Sequence, residues 1–294
     1  MDLTNKIIIK GLLKRHGAKP EKYLGQHFIL SKKALAKMIE AAEIKKNDTV
    51  VEIGPGLGTL TQELVKIPHP LKKGRGLKII AIEKDPLMVS ILKETLVNYK
   101  NVEIIQADAR NLKVSETYKI GDKVGIKIVA NLPYNVATFL IRQWLELRKA
   151  PELMVLMVQK EVAQRICAKP PHMNLLAVSV QFLATAKIID YVPAEAFWPK
   201  PKIDSAIIKI VPYISNSIAF ASDRKKTLQV VKAGFSQPRK QLIGNLIKKL
   251  KIPRGKLIEL FKNLNISERA RAENLSLDQW LSLAISLHLT TQKK

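Results

Sequence analysis

The sequence predicts an α/β protein: a doubly wound, mostly parallel sheet of seven strands, followed by a small all-helical C-terminal domain. Three observations predict it. Short, near-continuously apolar stretches alternate with helical patterns through the first two thirds of the chain. Strands of that kind are buried on both faces, which requires helices on both sides of a parallel sheet. The last two apolar stretches are joined only by "PAEAFWPKPKI", a connection short enough to imply one reversed strand at an edge. Beyond residue 213 no strand pattern remains, while amphipathic helical patterns continue.

Taken in order, "MDLTNKIIIKGLLKRHGAKP" is basic and partly amphipathic, and it lacks a small-residue cleavage site. It reads as a basic N-terminal arm, residues 1–22. "SKKALAKMIEAAEI" has a Ser cap, then Leu35, Met38, Ile39 and Ala42 at helical spacing. Thr49 to Ile53 is a strand, followed by a glycine turn and a helix. "LKIIAIEKD" is a second strand, and "PLMVSILKETLVNY" is a helix with Pro86 at its start. "NVEIIQADA", "GIKIVANLPY" and "ELMVLMVQ" are the next strands, with helices expected over 135–148, 160–168 and 174–184. "AKIIDYV" and "DSAIIKIVP" complete seven strands. The domain boundaries follow: a sheet domain over 23–213 and a helical domain over 214–294.

Charge bounds the partner. Fifty Lys and Arg against twenty-five Asp and Glu give a net charge of +25. Such an excess repels itself unless a polyanion is the partner. It is also concentrated: residues 221–294 hold sixteen basic and five acidic residues, a net of +11. Nucleic acid is the expected partner. No apolar run reaches membrane-spanning length. Cys167 is alone, so no intrachain disulfide forms, and a reducing cytoplasm is the expected compartment. No His, Cys and acid spacing resembles a metal site, and nothing marks a dimer surface, so a monomer is expected.

"VEIGPGLGTL" places Gly54, Gly56 and Gly58 between a strand and a helix. Glycines allow a tight turn and close ligand approach, and the helix N-terminus offers free N–H groups. Alone, such a turn is also a common structural device. The spacing is G-x-G-x-G, not the G-x-G-x-x-G of nicotinamide enzymes. Glu83 closes the second strand, where a carboxylate can accept from two ribose hydroxyls. Asp108 closes the third, where it can accept from an adenine amino group. Either acid singly could be a solvated loop charge. Together they mark three successive carboxyl ends of one parallel sheet, where ligands bind in such folds. The turn holds no phosphate-binding Lys or Arg. The ligand expected is therefore an adenosine without a polyphosphate, S-adenosylmethionine.

"NLPY" stands at the fourth strand end, facing the same crevice. The exocyclic amine of adenine is a poor nucleophile, because its lone pair is delocalised into the ring. Two acceptors aimed at its two hydrogens would hold it and favour a tetrahedral nitrogen. The side-chain oxygen of Asn131 and the backbone carbonyl of Leu132 can serve, with Pro133 fixing the chain between them and Tyr134. The Tyr134 ring offers a stacking face. The alternative is a proline-kinked structural turn.

"EIGPGLG", "IEKD", "QADA" and "NLPYNVAT" together resemble the adenine-N6 methyltransferases of ribosomal RNA. "YLGQHFIL", "QKEVAQRI", "PAEAFWPKPKIDSAIIKIVP", "FSQPRKQL" and "RAENLS" extend the likeness to the KsgA-type small-subunit rRNA adenine dimethyltransferases, over roughly residues 19 to 285. The resemblance implies a class I methyltransferase sheet. It implies a soluble cytoplasmic enzyme that uses S-adenosylmethionine to dimethylate two adjacent adenosines in the 3′-terminal hairpin of small-subunit rRNA. The substrate would be an immature small ribosomal subunit, and the enzyme would also act as an assembly checkpoint. By position, Gln26, His27 and Ile29 would lie over the methionine end of the cofactor. Gly54 would contact it through the backbone, Glu83 would hold the ribose and Asp108 the adenine. Asn131 to Tyr134 would hold the target base. Phe197 would be a second aromatic face opposite Tyr134; independently, an exposed Phe-Trp in a Pro/Lys-rich loop must stack or pack.

Three features depart from the family pattern. His27 stands where the family has Asn. "MNLLAVSV" lacks a Tyr-Gly pair, which bears on how the target loop is held. "VKIPHPLKKGRGLKII" carries extra basic residues and reads as a surface insertion. The nearest rival is a large-subunit rRNA adenine methyltransferase of the macrolide-resistance type; "RAENLS" and the C-terminal helices favour the small subunit. A mitochondrial transcription-factor relative would bring a transit peptide. A catalytically idle RNA-binding assembly factor would show decay at Asn131, Tyr134 or the glycines, and all are intact.

Overall fold

The structure is a computed structural model that describes residues 1–67, 76–111, 125–147, 149–213 and 218–291. The side chains of Lys22 and of residues 218–225 and 288–291 lie outside that description. So does most of the basic insertion before the second predicted strand, at 68–75.

The central sheet has seven strands in the order β4-β3-β2-β5-β6-β9-β7. They are β2 (Thr49–Ile53), β3 (Lys78–Glu83), β4 (Val102–Gln106), β5 (Ile126–Asn131), β6 (Leu153–Gln159), β7 (Ala184–Val192) and β9 (Ser205–Pro212). The β2, β3, β4, β5 and β6 ladders are parallel, while β9 runs antiparallel to β6, with Gln159 opposite Ser205. The reversed strand, β9, lies one place in from the edge, between β6 and the edge strand β7, and not at the edge itself. Strand β2 pairs with β3 on one side and β5 on the other, so chain order reverses there. A crevice opens at such a switch point, beyond the carboxyl ends of the strands. Every residue of β2 is buried, as the unbroken apolar run requires.

Helix α2 (Lys32–Ala42) starts at Ser31, whose hydroxyl accepts from the Ala34 N–H at 3.2 Å. Its Leu35 and Met38 pack with Val129, Val155 and Ile207 of the sheet. Helix α3 (Thr59–Val65) follows the glycine turn, and α4 (Pro86–Thr95) is capped by Asp85, whose carboxylate accepts from Leu87 N at 2.9 Å. Helix α5 (Ala137–Leu145) follows β5, and α6 (Lys160–Ile166) follows β6.

Two elements correct the sequence reading. The N-terminal arm is helical: α1 (Lys6–Arg15) is capped by Asn5 and buries Ile9, Leu12 and Leu13 against Leu57, Met88 and Ile91. Its basic residues simply occupy the other face. The second correction is a small antiparallel pair, β1 (Phe28–Ile29) and β8 (Phe197–Trp198), with Phe28 opposite Trp198 and Ile29 opposite Phe197.

The chain divides into two compact units, residues 1–163 with 186–212, and residues 164–185 with 213–294. The segment 164–185, which the sequence reading placed in the sheet domain, thus belongs to the second unit. That unit contains α7 (Leu175–Gln181), α8 (Ile218–Gly234), α9 (Leu242–Leu250), α10 (Arg254–Asn263) and α11 (Leu277–Thr291). Its core is built around Trp280, Phe261, Leu246 and Val231. The departing segment "MNLLAVSV" sits in that core through Met173, Ala177 and Val178, so its apolar residues serve helix packing. Among the described residues, no helix is long and apolar enough to cross a membrane.

Candidate functional site

A cavity of about 320 Å³ opens at the switch point, within the first unit. Of the residues expected from sequence, Gln26, His27, Ile29, Gly54, Gly56, Glu83, Asp108, Asn131 and Pro133 line it. Gly54 and Gly56 have φ of +66° and +58°, which only glycine adopts readily. A Cβ on Gly56 would lie 3.2 Å from the Phe28 ring, and one on Gly54 would lie 3.6 Å from Pro133 Cδ. The turn therefore needs glycine for its backbone, and at Gly56 also for the close approach of the Phe28 ring.

Glu83 is buried, and its carboxylate accepts from three backbone N–H groups: Gly56 at 3.1 Å, Lys84 at 2.7 Å and Asp85 at 2.9 Å. Burial still raises its pKa, the three donors opposing. Two carboxylate oxygens offer about four acceptor sites, so acceptor capacity remains after these bonds. Glu52, at 2 % exposure, lies beneath the same cavity. Burial pushes its pKa up to about 8, against a hydrogen bond from the Thr61 hydroxyl at 2.7 Å. Among the described residues neither acid has a cationic partner. Asp108 differs: Arg110 Nη2 at 2.6 Å and Lys84 Nζ at 3.0 Å hold its carboxyl well below the usual range.

Gln26 braces the near wall. Its Nε2 donates to Asp85 at 2.7 Å and its Oε1 accepts from Glu21 N at 2.9 Å. His27 is tied to three neighbours. Its Nδ1 lies 2.7 Å from the Pro199 carbonyl, its ring stacks on Tyr134 at 5.8 Å and 23°, and its backbone carbonyl accepts from Asn131 Nδ2 at 3.1 Å. That last bond orients the Asn131 amide and leaves Oδ1 as a spare acceptor. Leu132 is buried, and its N–H donates to Met157 O at 3.1 Å. Its carbonyl accepts no hydrogen bond among the described residues, whereas the Pro133 carbonyl is taken by Val136 N at 3.1 Å. Tyr134 is half-buried, with its hydroxyl 2.8 Å from Ser205 Oγ and its pKa raised by burial.

A family model for ribosomal RNA adenine dimethylases matches residues 17–289. This chain belongs to the ribosomal RNA adenine dimethylase family. It is 38 % identical over 276 residues to the ribosomal RNA small subunit methyltransferase A of Dehalococcoides mccartyi (strain BAV1), covering 94 % of this chain and 91 % of that one. The protein of that name from Leuconostoc citreum is 34 % identical over 298 residues, covering 98 % and 97 %. Among solved structures, a dimethyladenosine transferase from Plasmodium falciparum superposes with a TM-score of 0.72 at 25 % identity, over 90 % of this chain and 98 % of that one. The 23S rRNA methyltransferase ErmE shares the fold, with a TM-score of 0.71 at 23 % identity over 89 % and 99 % of the two chains.

The dimethylase is an S-adenosylmethionine-dependent enzyme. The donor set fits that cofactor. A glycine turn admits a ligand against backbone, and a buried carboxylate keeps acceptor capacity for hydroxyls. Three expectations shift in this dimethylase. Gly58 packs against Leu92, 3.1 Å from where its Cβ would lie, and does not line the cavity. Neither Leu132 nor Tyr134 is part of the lining; they stand beside it on "NLPY". Phe197 is only 3 % exposed and packs with Ile29, Leu35 and Val192, so it presents no ring for stacking. Pairing of β8 with β1 turns its side chain inward, and packing is the alternative that holds. The sequence reading gave no role to Glu52, Gly25 or Arg110. Gly25 was findable as a glycine adjoining Gln26; its φ is +68° and its Cβ would lie 3.3 Å from Pro133 Cβ. The burial of Glu52 follows from its place in an all-apolar strand.

Proposed function

We propose that this dimethylase converts two adjacent adenosines in the 3′-terminal hairpin of small-subunit rRNA to N6,N6-dimethyladenosines, in the cytoplasm, during maturation of the small subunit. The observation that carries the chemistry is the pair of spare acceptors at the end of β5: Asn131 Oδ1, oriented by the bond to His27, and the unbonded Leu132 carbonyl. The names of the small-subunit relatives support the substrate.

The cofactor, when bound, supplies an electrophilic methyl on a sulfonium. Gly54, Gly56, Gln26, Ile29, Glu83 and Asp108 would hold it, the acids taking its hydroxyls and adenine amine. Asn131 Oδ1 and Leu132 O each accept one hydrogen of the target amine. This fixes the nitrogen and directs its lone pair along the remaining direction. Tyr134 stacks the base, and because its hydroxyl is tied to Ser205 with a raised pKa, it acts as a neutral platform and not as a base. Two acceptors suffice because the proton becomes acidic only once nitrogen carries the new methyl.

The test supplies labelled S-adenosylmethionine and unmethylated small subunits to the full-length enzyme and digests the RNA. Dimethyladenosine at two neighbouring positions is expected. Label confined to large-subunit RNA would overturn the substrate.

A further inference from the structure

We propose a second nucleotide subsite beside the target-base site, formed by Tyr191 and Lys160, which stacks a base flanking the target and holds its phosphate. The inference rests on the RNA-adenine reading of the crevice. It starts from an anomaly in β7. Tyr191 is 48 % exposed one residue before the strand ends, although its neighbour Val192 is buried in the core. Lys160 places its ammonium 5.5 Å from the Tyr191 ring centroid. Ile203, beside Lys202, is 43 % exposed.

The cation is available. Lys160 meets Asp204 only at 3.7 Å, between side chains each 45 % exposed, a pairing worth little in water. A half-exposed aromatic ring with a weakly paired lysine beside it is the chemistry that takes a base and its phosphate from a single strand.

The position follows from bonding. The Tyr134 hydroxyl lies 2.8 Å from Ser205 Oγ, and Ser205 is opposite Gln159 in the sheet. The next pair outward joins Lys160 N to the Asp204 carbonyl at 3.0 Å, and Lys160 reaches Tyr191. The chain Tyr134, Ser205, Asp204, Lys160, Tyr191 therefore links the platform beside the target-base site to the Tyr191 ring. An enzyme that extrudes a base for chemistry breaks its stacking with the neighbours. A second aromatic face restores part of that stacking for the flanking base.

The experiment measures binding of a fluorescent single-stranded adenine-rich hexaribonucleotide to the full-length protein at low salt, which needs no methyl transfer. Tyr191→Ala should weaken it about ten-fold, within the range of one lost base stack, with Tyr191→Phe within two-fold of wild type. Lys160→Ala should lower affinity and flatten its salt dependence. In subunit methylation, Tyr191→Ala should raise KM for subunits and leave KM for S-adenosylmethionine unchanged. Wild-type hexamer binding by Tyr191→Ala overturns the subsite, as does a Tyr191→Phe loss equal to that of Ala. A defect seen on assembled subunits but not on the hexamer assigns Tyr191 to a ribosomal protein and also overturns it. Failure of wild-type enzyme to methylate small subunits would sink the parent reading, while hexamer binding still decides the subsite.

Discussion

The two rims of the central sheet, at the amino and the carboxyl ends of its parallel strands, treat buried charge in opposite ways. At the rim away from the crevice, Lys127 is 2 % exposed and fully partnered: its ammonium lies 2.9 Å from Asp48 and donates to the Glu43 carbonyl. Lys209 pairs with Glu43 nearby. At the crevice rim, Glu52 and Glu83 are just as buried, yet their partners are neutral: one hydroxyl and three backbone amides. Where the sheet is only structure, the chain neutralises its own charges. Where it meets ligand, two acids are buried with neutral partners only, and burial raises both their pKa values. Carboxyl groups without a counter-charge are thus kept only on the side that meets the crevice.

The largest effect tests the structural rim. Lys127→Ala strands Asp48 as an unpaired buried acid, so chemical denaturation should show a loss of about 3–5 kcal/mol. The folded fraction should keep its kcat, because nothing at that rim reaches the cavity. A normal melting curve with lost activity would break the comparison. At the crevice rim the signs reverse. Asn131→Ala should cut transfer by about 10²–10³-fold, the usual cost of one preorganised polar group at a reacting centre, with little change in stability. Calorimetric affinity for S-adenosylmethionine should stay within a few-fold. If cofactor affinity collapses in parallel, Asn131 belongs to the cofactor half of the crevice.

Glu52 tests the unpaired acids themselves. Its folded pKa of about 8 lies above the ordinary carboxylate value. Between about pH 4.5 and 8 the folded state thus binds more protons than the unfolded one, and stability falls as pH rises through that window. Glu52→Gln removes the slope and can keep the Thr61 hydrogen bond. The variant should be more stable than wild type at pH 8.5, by on the order of 1–2 kcal/mol once the burial of an amide is set against the gain. Melting temperatures across pH 5 to 9 give the answer. Parallel curves for the two proteins would mean that Glu52 is not held neutral.

The parts legible in sequence are those fixed by local pattern. Apolar runs located the strands, because a strand covered on both faces has no polar alternation to hide it. Gly54, Gly56, Glu83, Asp108 and Asn131 were legible because each sits where a run ends, and the parallel strands β2, β3, β4 and β5 end on the crevice side. What escaped depends on distant partners. The β1 and β8 pair is two residues long on each side and joins segments far apart in sequence. Without it, Phe197 in its Pro- and Lys-rich loop reads as exposed. Helix α1 shows the same limit: Lys6, Lys10, Lys14 and Arg15 make it read as a basic arm, while the facing surface of Leu57, Met88 and Ile91 that makes it a packed helix lies far along the chain.

His27 carries the smallest prediction and the finest test of how the crevice rim is held. Its carbonyl orients Asn131, its ring stacks on Tyr134, and its Nδ1 meets the Pro199 carbonyl. Only the last two belong to the side chain. In His27→Asn the backbone carbonyl survives, so the Asn131 acceptor should keep its direction, while the ring contact with Tyr134 is lost. The expected result is a few-fold fall in kcat with KM for S-adenosylmethionine changed less than about three-fold, equivalent to under about 1 kcal/mol. Steady-state kinetics in both substrates separates the two numbers. If His27→Asn costs as much as Asn131→Ala, the imidazole and not the backbone carbonyl sets the geometry of the target site. If KM for the cofactor rises alone, the ring serves the cofactor wall, and Tyr134 takes its orientation from Ser205 alone.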